Sequence, residues 1–97
     1  MQIKNKTYDM LNARCNFQKF HENGGTYYGV AFDYFAISMS IVTDFADEGI
    51  ARLKATVGWS NDFTSRVSEQ FVYSEGGFKA ACAWIDKERI KLLEQLL

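Results

Sequence analysis

The apolar positions of this chain change period several times, and each change marks an element. Between Thr7 and Glu22, Met10, Ala13, Phe17 and Phe20 recur at helical spacing, and Tyr8, Leu11 and Cys15 form an adjoining stripe. Thr7 is suited to cap that helix, Asp9 lies in the first turn, where the helix dipole favours an anion, and Asn23-Gly24-Gly25 supplies a stop. Ala13, Cys15 and Phe17 also alternate, so a strand over 12–20 competes; the stop signal favours the helix. Tyr27, Tyr28, Val30 and Phe32 then predict a strand over 26–32. The stretch 34–48 reads both ways. Phe35, Ile37, Met39 and Ile41 alternate against Ala36, Ser38 and Ser40 as in a strand, whereas Phe35, Met39, Val42 and Ala46 share one helical stripe. An unbroken strand from 26 to 43 would exceed the roughly three to ten residues usual for strands, so a break near Asp33 is expected. A helix capped by Asp33 is slightly favoured for 34–48, with a strand as the alternative.

The firmest β signal is a hairpin of 51–59 with 63–73. Ala51, Leu53, Ala55, Val57 and Trp59 share one face of the first arm, and Phe63, Val67, Phe71 and Tyr73 share one face of the second. A three-residue loop, Ser60-Asn61-Asp62, sets Trp59 opposite Phe63 and Ala55 opposite Val67, matching the apolar faces; Asn or Asp would take the left-handed turn position. Arg52, Lys54, Thr56, Thr64, Arg66, Ser68 and Gln70 then form a polar face, and Glu69 falls on the apolar one, where it must reach water or a partner. Ser74 and Glu75 suit the start of a closing helix whose stripe is Phe78, Ala81, Cys82, Ile85, Leu92 and Leu96. Trp84, Ile90, Leu93 and Leu97 lie off it, as a second layer or an exposed patch, with the second layer preferred. The predicted fold is α+β: a three-stranded antiparallel sheet flanked by helices, in the order α-β-(α or β)-β-β-α.

Composition adds limits. Ninety-seven residues form a single domain, 1–97, and an apolar fraction of 47% with fifteen aromatic residues suffices for a core without metal or disulfide. Met1–Lys6 is followed by no apolar segment of the secretory type, and the longest uncharged apolar-leaning run, Tyr34–Thr43, is too short to span a membrane. These features predict a cytoplasmic protein, with no membrane partner and with Cys15 and Cys82 as free, buried thiols. The net charge of −1 hides a strong asymmetry: residues 1–19 carry +3, residues 20–51 carry −5 with no Lys or Arg, and residues 52–97 carry +1.

Candidate chemistry is sparse. His21 is the only histidine, and Cys15, six residues earlier, lies about 600° away around a helix, on another face. A solvated histidine favoured by the helix C-terminus is the expected role of His21. Two distant cysteines and one histidine make a poor zinc set, so no metal or cofactor is expected. Glu75-Gly76-Gly77-Phe78-Lys79 lacks the further residues of a phosphate loop and carries an acid that would repel phosphate. Asp44, Asp47 and Glu48 have no supporting motif for acid–base work, so no enzymatic activity is expected.

The order helix–three strands–helix resembles, in topology alone and over about residues 7–96, the double-stranded RNA-binding domain. That family grips phosphate with lysines at the start of its last helix; Ser74–Ala81 here offers Lys79 and Glu75. Direct nucleic-acid binding is therefore disfavoured, and the face bearing Arg52, Lys54 and Arg66 would be its vehicle. The acidic middle of the chain points the other way. Glu22, Asp33, Asp44, Asp47 and Glu48 could imitate spaced phosphates in a basic channel, with Tyr27, Tyr28 and Tyr34 as anchors. In its short length, α+β pattern, lack of catalytic residues and acidic stretch Glu22–Glu48, the chain resembles the small anti-CRISPR proteins of phages and mobile elements. That resemblance implies an inhibitor, of the type I systems, that binds an RNA-guided surveillance complex with a basic DNA-binding channel and blocks target DNA. A small nucleic-acid-binding module and an oligomeric accessory protein associating through Trp84, Leu93 and Leu97 are the alternatives.

Overall fold

The computed structural model describes residues 17–22, 28–32, 37–47 and 49–95, with 28–32, 46 and 47 described as backbone. Helix α1 (Phe17–Glu22) precedes strands β1 (Tyr28–Phe32), β2 (Ile37–Asp47) and β3 (Ile50–Trp59). A 3₁₀ turn (Phe63–Ser65), strand β4 (Val67–Val72) and helix α2 (Glu75–Glu94) follow. The strands pair antiparallel in the order β1-β2-β3-β4, and α2 crosses one face of the sheet. This is an α+β fold with the predicted order of elements, and the ambiguous stretch closes as a strand, which brings the sheet to four strands. The slight preference for a helix capped by Asp33 does not hold; Asp33 itself lies outside the described residues, as do 7–16 of the first predicted helix.

Two-residue periodicity prevails in β2 for a tertiary reason. Ile37, Met39 and Ile41 are buried, while Ser38, Ser40 and Val42 are half-exposed, so Met39 and Val42 no longer share a face. β2 pairs with β3 from Ile37↔Trp59 through Asp44↔Arg52, and across an irregularity to Asp47↔Ile50. A helix over this stretch would leave β3 and β4 as an isolated ribbon, marginal in water; the central pairing makes them part of a sheet. The expected break between the first two strands falls between Phe32 and Ile37. The β2–β3 connection turns at Gly49, whose φ of 78° is left-handed.

The β3–β4 register differs from the predicted one by two residues. Val57, Ala55 and Leu53 face Val67, Glu69 and Phe71, and the three-residue loop is replaced by a longer connection. Asp62 is extended and not left-handed; it caps the 3₁₀ turn by accepting from the Thr64 N–H at 3.0 Å and the Thr64 hydroxyl at 2.6 Å. The Ser65 hydroxyl donates to the Asp62 carbonyl and accepts from the Trp59 N–H, at 2.7 and 2.8 Å. These local bonds satisfy the turn backbone and release Phe63 from the apolar face into solvent, 76% exposed. Because the slip is even, every other side chain keeps its face: Thr56, expected opposite Arg66, meets Ser68 on the same polar face, their hydroxyls 3.0 Å apart.

Ser74 caps α2, its hydroxyl accepting from the Gly77 N–H at 2.9 Å, with Glu75 in the first turn. Phe78, Ala81, Cys82 and Ile85 are buried with Leu53, Ala55 and Val57 of β3, Ile37, Met39 and Ile41 of β2, and Phe20 of α1. Each of the larger side chains contributes about 1.5–3 kcal/mol by leaving water. Further along, the stripe runs through Arg89 and Leu93, so Leu93 is core and Leu92 only half-buried against it. Trp84 packs edge-on against Phe71, centroids 6.1 Å apart, as the second-layer reading expects. Arg89 is buried and pairs with Asp86 at 3.2 Å; burial pushes its pKa down and Asp86 opposes that shift.

The entry of α2 demands a glycine. A Cβ at Gly77 would overlap the carbonyl oxygen of Val72, a backbone atom that cannot swing aside, whereas a Cβ at Gly76 would meet only the Ser74 hydroxyl at 3.9 Å. Alanine improves helix propensity at either site by about 1 kcal/mol. The Gly77→Ala variant is nevertheless expected to lose on the order of 1–3 kcal/mol in urea unfolding, and Gly76→Ala to lose nothing. Equal midpoints for the two variants would contradict this account of the helix–sheet junction.

Candidate functional site

The antiparallel topology gathers several chain ends at one end of the sheet. The last residues of β2, the first of β3, the last of β4 and the first turn of α2 meet there. α1 joins them through rings: Phe17 lies 5.5 Å from Tyr73 and Phe20 lies 5.7 Å from Phe78. Three large apolar side chains at this end face solvent: Phe45 (61%), Ile50 (58%) and Val72 (63%). Their exposure follows from position, since Phe45 and Ile50 sit on the β2–β3 hairpin tip, and Val72 lies opposite Arg52 on the face turned from α2.

The carboxylates predicted to form a site separate into groups. Asp44 is half-buried on β2, directly opposite Arg52, and accepts a hydrogen bond from the Gln70 amide nitrogen at 2.9 Å. Asp47 follows on the same hairpin, its backbone paired with Ile50. Glu22 is exposed on α1 and accepts from the Gln18 amide nitrogen at 3.0 Å. Tyr28 is described as backbone, paired with Ile41 at the end of β1 nearer Asp44. Tyr27, Asp33, Tyr34 and Glu48 lie outside the described residues. The strand ends flanking Asp33 and Tyr34, Phe32 and Ile37, lie at the far end of the sheet from Asp44, about 23 Å away along β2.

The sequence reading missed two features of this end. It did not pair Asp44 with Arg52, because that pairing requires β2 to be a strand turned back on β3 at Gly49. It also passed over Phe45 and Ile50, whose alternating register places them beyond the reach of α2. The basic residues of the hairpin face occupy distinct settings. Arg52 lies opposite Asp44 at one end, and the Arg66 guanidinium lies 4.2 Å from the centroid of the Phe63 ring at the other. The Arg66 stem covers Gly58, where a Cβ would stand 2.6 Å from the Arg66 Cγ.

His21 meets Tyr73, its Nδ1 3.1 Å from the phenolic oxygen, and stacks on Phe17 with centroids 6.0 Å apart. It remains exposed near the α1 C-terminus, as expected. Among the described residues no group of three or more His, Cys, Asp or Glu is placed to hold a metal ion, and no helix is long and apolar enough to cross a membrane. Cys82 is a free, buried thiol; burial first, and the nearby Asp86 second, push its pKa up to about 12. It is neutral and poorly reactive at physiological pH. No family model, curated protein or solved structure matches the chain.

The Cys82 shift has a thermodynamic sign. Below pH 9.0 the thiol is protonated in both states; from there to about 12 the unfolded chain releases a proton that the folded protein retains. Stability carried by Cys82 therefore falls as pH rises through that window. The gap in urea midpoint between the parent and Cys82→Ala is expected to narrow between pH 8.5 and 10.5, and a constant gap would contradict burial of the neutral thiol.

Proposed function

We propose that this chain is a non-enzymatic inhibitor that docks the sheet end bearing Asp44 and Asp47 onto a basic nucleic-acid site of a larger complex. The resemblance to anti-CRISPR proteins suggests an RNA-guided type I surveillance complex as that partner, with target DNA excluded. One observation carries the reading: the Asp44 carboxylate, the backbone of Asp47 and the exposed side chains of Phe45, Ile50 and Val72 share one end of the sheet. Lysines and arginines that hold DNA phosphate would attract the carboxylates and steer the encounter. The apolar side chains would supply the desolvated contacts that hold the complex once formed.

The arrangement departs from pure phosphate imitation. Asp44 shares its surroundings with Arg52 and Gln70, so the end presents mixed charge and not a continuous anionic row. Binding would then lean on Phe45 and Ile50 more than on counterion release, with a shallower salt dependence than DNA itself shows. The alternative, a nucleic-acid-binding module, would use Arg52, Lys54 and Arg66 on the open sheet face.

Competition with target DNA for a purified type I surveillance complex tests the proposal. Parent protein is expected to inhibit DNA binding. The Asp44→Lys/Asp47→Lys and Phe45→Ser/Ile50→Ser variants, checked for native stability, are each expected to lose inhibition about tenfold or more. Absence of inhibition by the parent, or undiminished inhibition by both variants, would overturn it. Tighter binding of the Lys variant to free DNA, with no effect of the parent on the complex, would favour the module.

A further inference from the structure

We infer that β4 is a strand-addition site for an extended segment of a partner protein. That segment sets a lysine or arginine opposite Glu69, flanked two residues to either side by apolar side chains. β4 is the last strand of the sheet, and among the described residues no strand pairs with its outer edge. The Gln70 N–H turns away from β3 and donates to the neighbouring Glu69 carboxylate at 3.3 Å, a long bond made with the nearest acceptor at hand. In an antiparallel pair, backbone groups of alternate residues point to opposite sides, so Ser68 shares the outward orientation of Gln70, while the outward backbone of Val72 is taken up by Gly77 at the start of α2. These are the donors and acceptors an added strand needs.

Edges of this kind are usually blunted by proline, lysine, a bulge or a covering element. The β4 sequence Val-Ser-Glu-Gln-Phe-Val contains no proline or lysine, and its register with β3 runs unbroken from Val67 to Val72. Val67 (45% exposed) and Val72 are open to solvent at its two ends. Among the described residues, Glu69 protects the middle of the edge, its carboxylate accepting from the Gln70 N–H, and Gly77 closes the Val72 end. An incoming main-chain carbonyl would take over the Gln70 N–H and free that carboxylate for a cation.

The side chains decide the occupant. On the face toward α2, β4 offers Val67, Glu69 and Phe71 in a row: apolar, acidic, apolar. A second copy paired antiparallel about Glu69 would set Glu69 against Glu69, and one paired about Gln70 would set it against Phe71. Like charges directly opposite destabilise a sheet, and the shifted register leaves the charge unmatched, whereas a basic residue completes the pair. Charge complementarity thus selects a foreign strand over self-association. This site does not depend on the docking role of Asp44 and Asp47.

The test uses the full chain with two blocked peptides, TVTKTVT and TVTETVT. TVTKTVT is expected to bind about tenfold tighter than TVTETVT, with the preference reversed in Glu69→Lys. Amide exchange at Ser68 and Gln70 should slow on binding, while Val67, Glu69 and Phe71, already laddered to β3, should not change. Gln70→Pro removes an outward donor without touching the β3 ladder and should weaken binding about tenfold or more. No binding at millimolar TVTKTVT, equal affinity for the two peptides, or protection confined to other elements would overturn the inference. So would self-association of the parent that Gln70→Pro abolishes, which would name a second copy as the occupant.

Discussion

α2 reaches the sheet where it does because Gly77 has no side chain to hold it away from the Val72 carbonyl. The contact joins the last residue of β4 to the first turn of the helix, with the Ser74 cap between them. From that junction the helix runs across β3, setting Phe78, Ala81, Cys82 and Ile85 onto Leu53, Ala55 and Val57. The remaining architecture depends on this seating. One face of the sheet is sealed by apolar contact, and the other carries the Ser, Thr, Lys, Arg and Gln residues of alternate positions. β4 is anchored at its C-terminal end by the helix, and among the described residues no strand pairs with its outer edge.

The same seating limits how far α2 can cover the strands. Phe45 and Ile50 lie on a hairpin tip outside its footprint, and Val72 points to the opposite face, so apolar side chains collect where the Asp44 carboxylate also lies. Charge at this end is balanced locally, with Asp44 opposite Arg52 and bonded to Gln70. Of the acidic middle of the chain, Asp44 is thus matched by basic and amide groups of neighbouring strands. A stretch of sequence without lysine or arginine acquires them from β3 once the strands pair.

Legibility of the fold varied with the range of the interactions involved. The α2 cap at Ser74, the stripe Phe78–Ala81–Cys82–Ile85 and the inward row Leu53–Ala55–Val57 were readable because each is a local periodicity set by backbone geometry. The choice between helix and strand for 37–47 was not, since both periods are present and only the β3 partner favours one. The β3–β4 register was missed by two residues because Asp62 and Ser65 build a hydrogen-bonded turn that outweighs burial of Phe63. Leu93 was misplaced because Arg89 continues the buried stripe, and a buried arginine depends on Asp86 beside it. Of the candidate site, Asp44 and Asp47 were named from charge alone, and their apolar neighbours were not.

By itself, then, the sequence determined which positions face inward, where the closing helix begins, and that carboxylates dominate the middle of the chain. These follow from side-chain chemistry and from periods of two and 3.6 residues, which need no knowledge of distant partners. Tertiary structure alone decided that 37–47 is a strand, that Asp44 faces Arg52, and that Phe45, Ile50 and the β4 edge remain outside the core. Those outcomes are set by contacts between residues far apart in the chain, whose strengths depend on the whole set of pairings forming together.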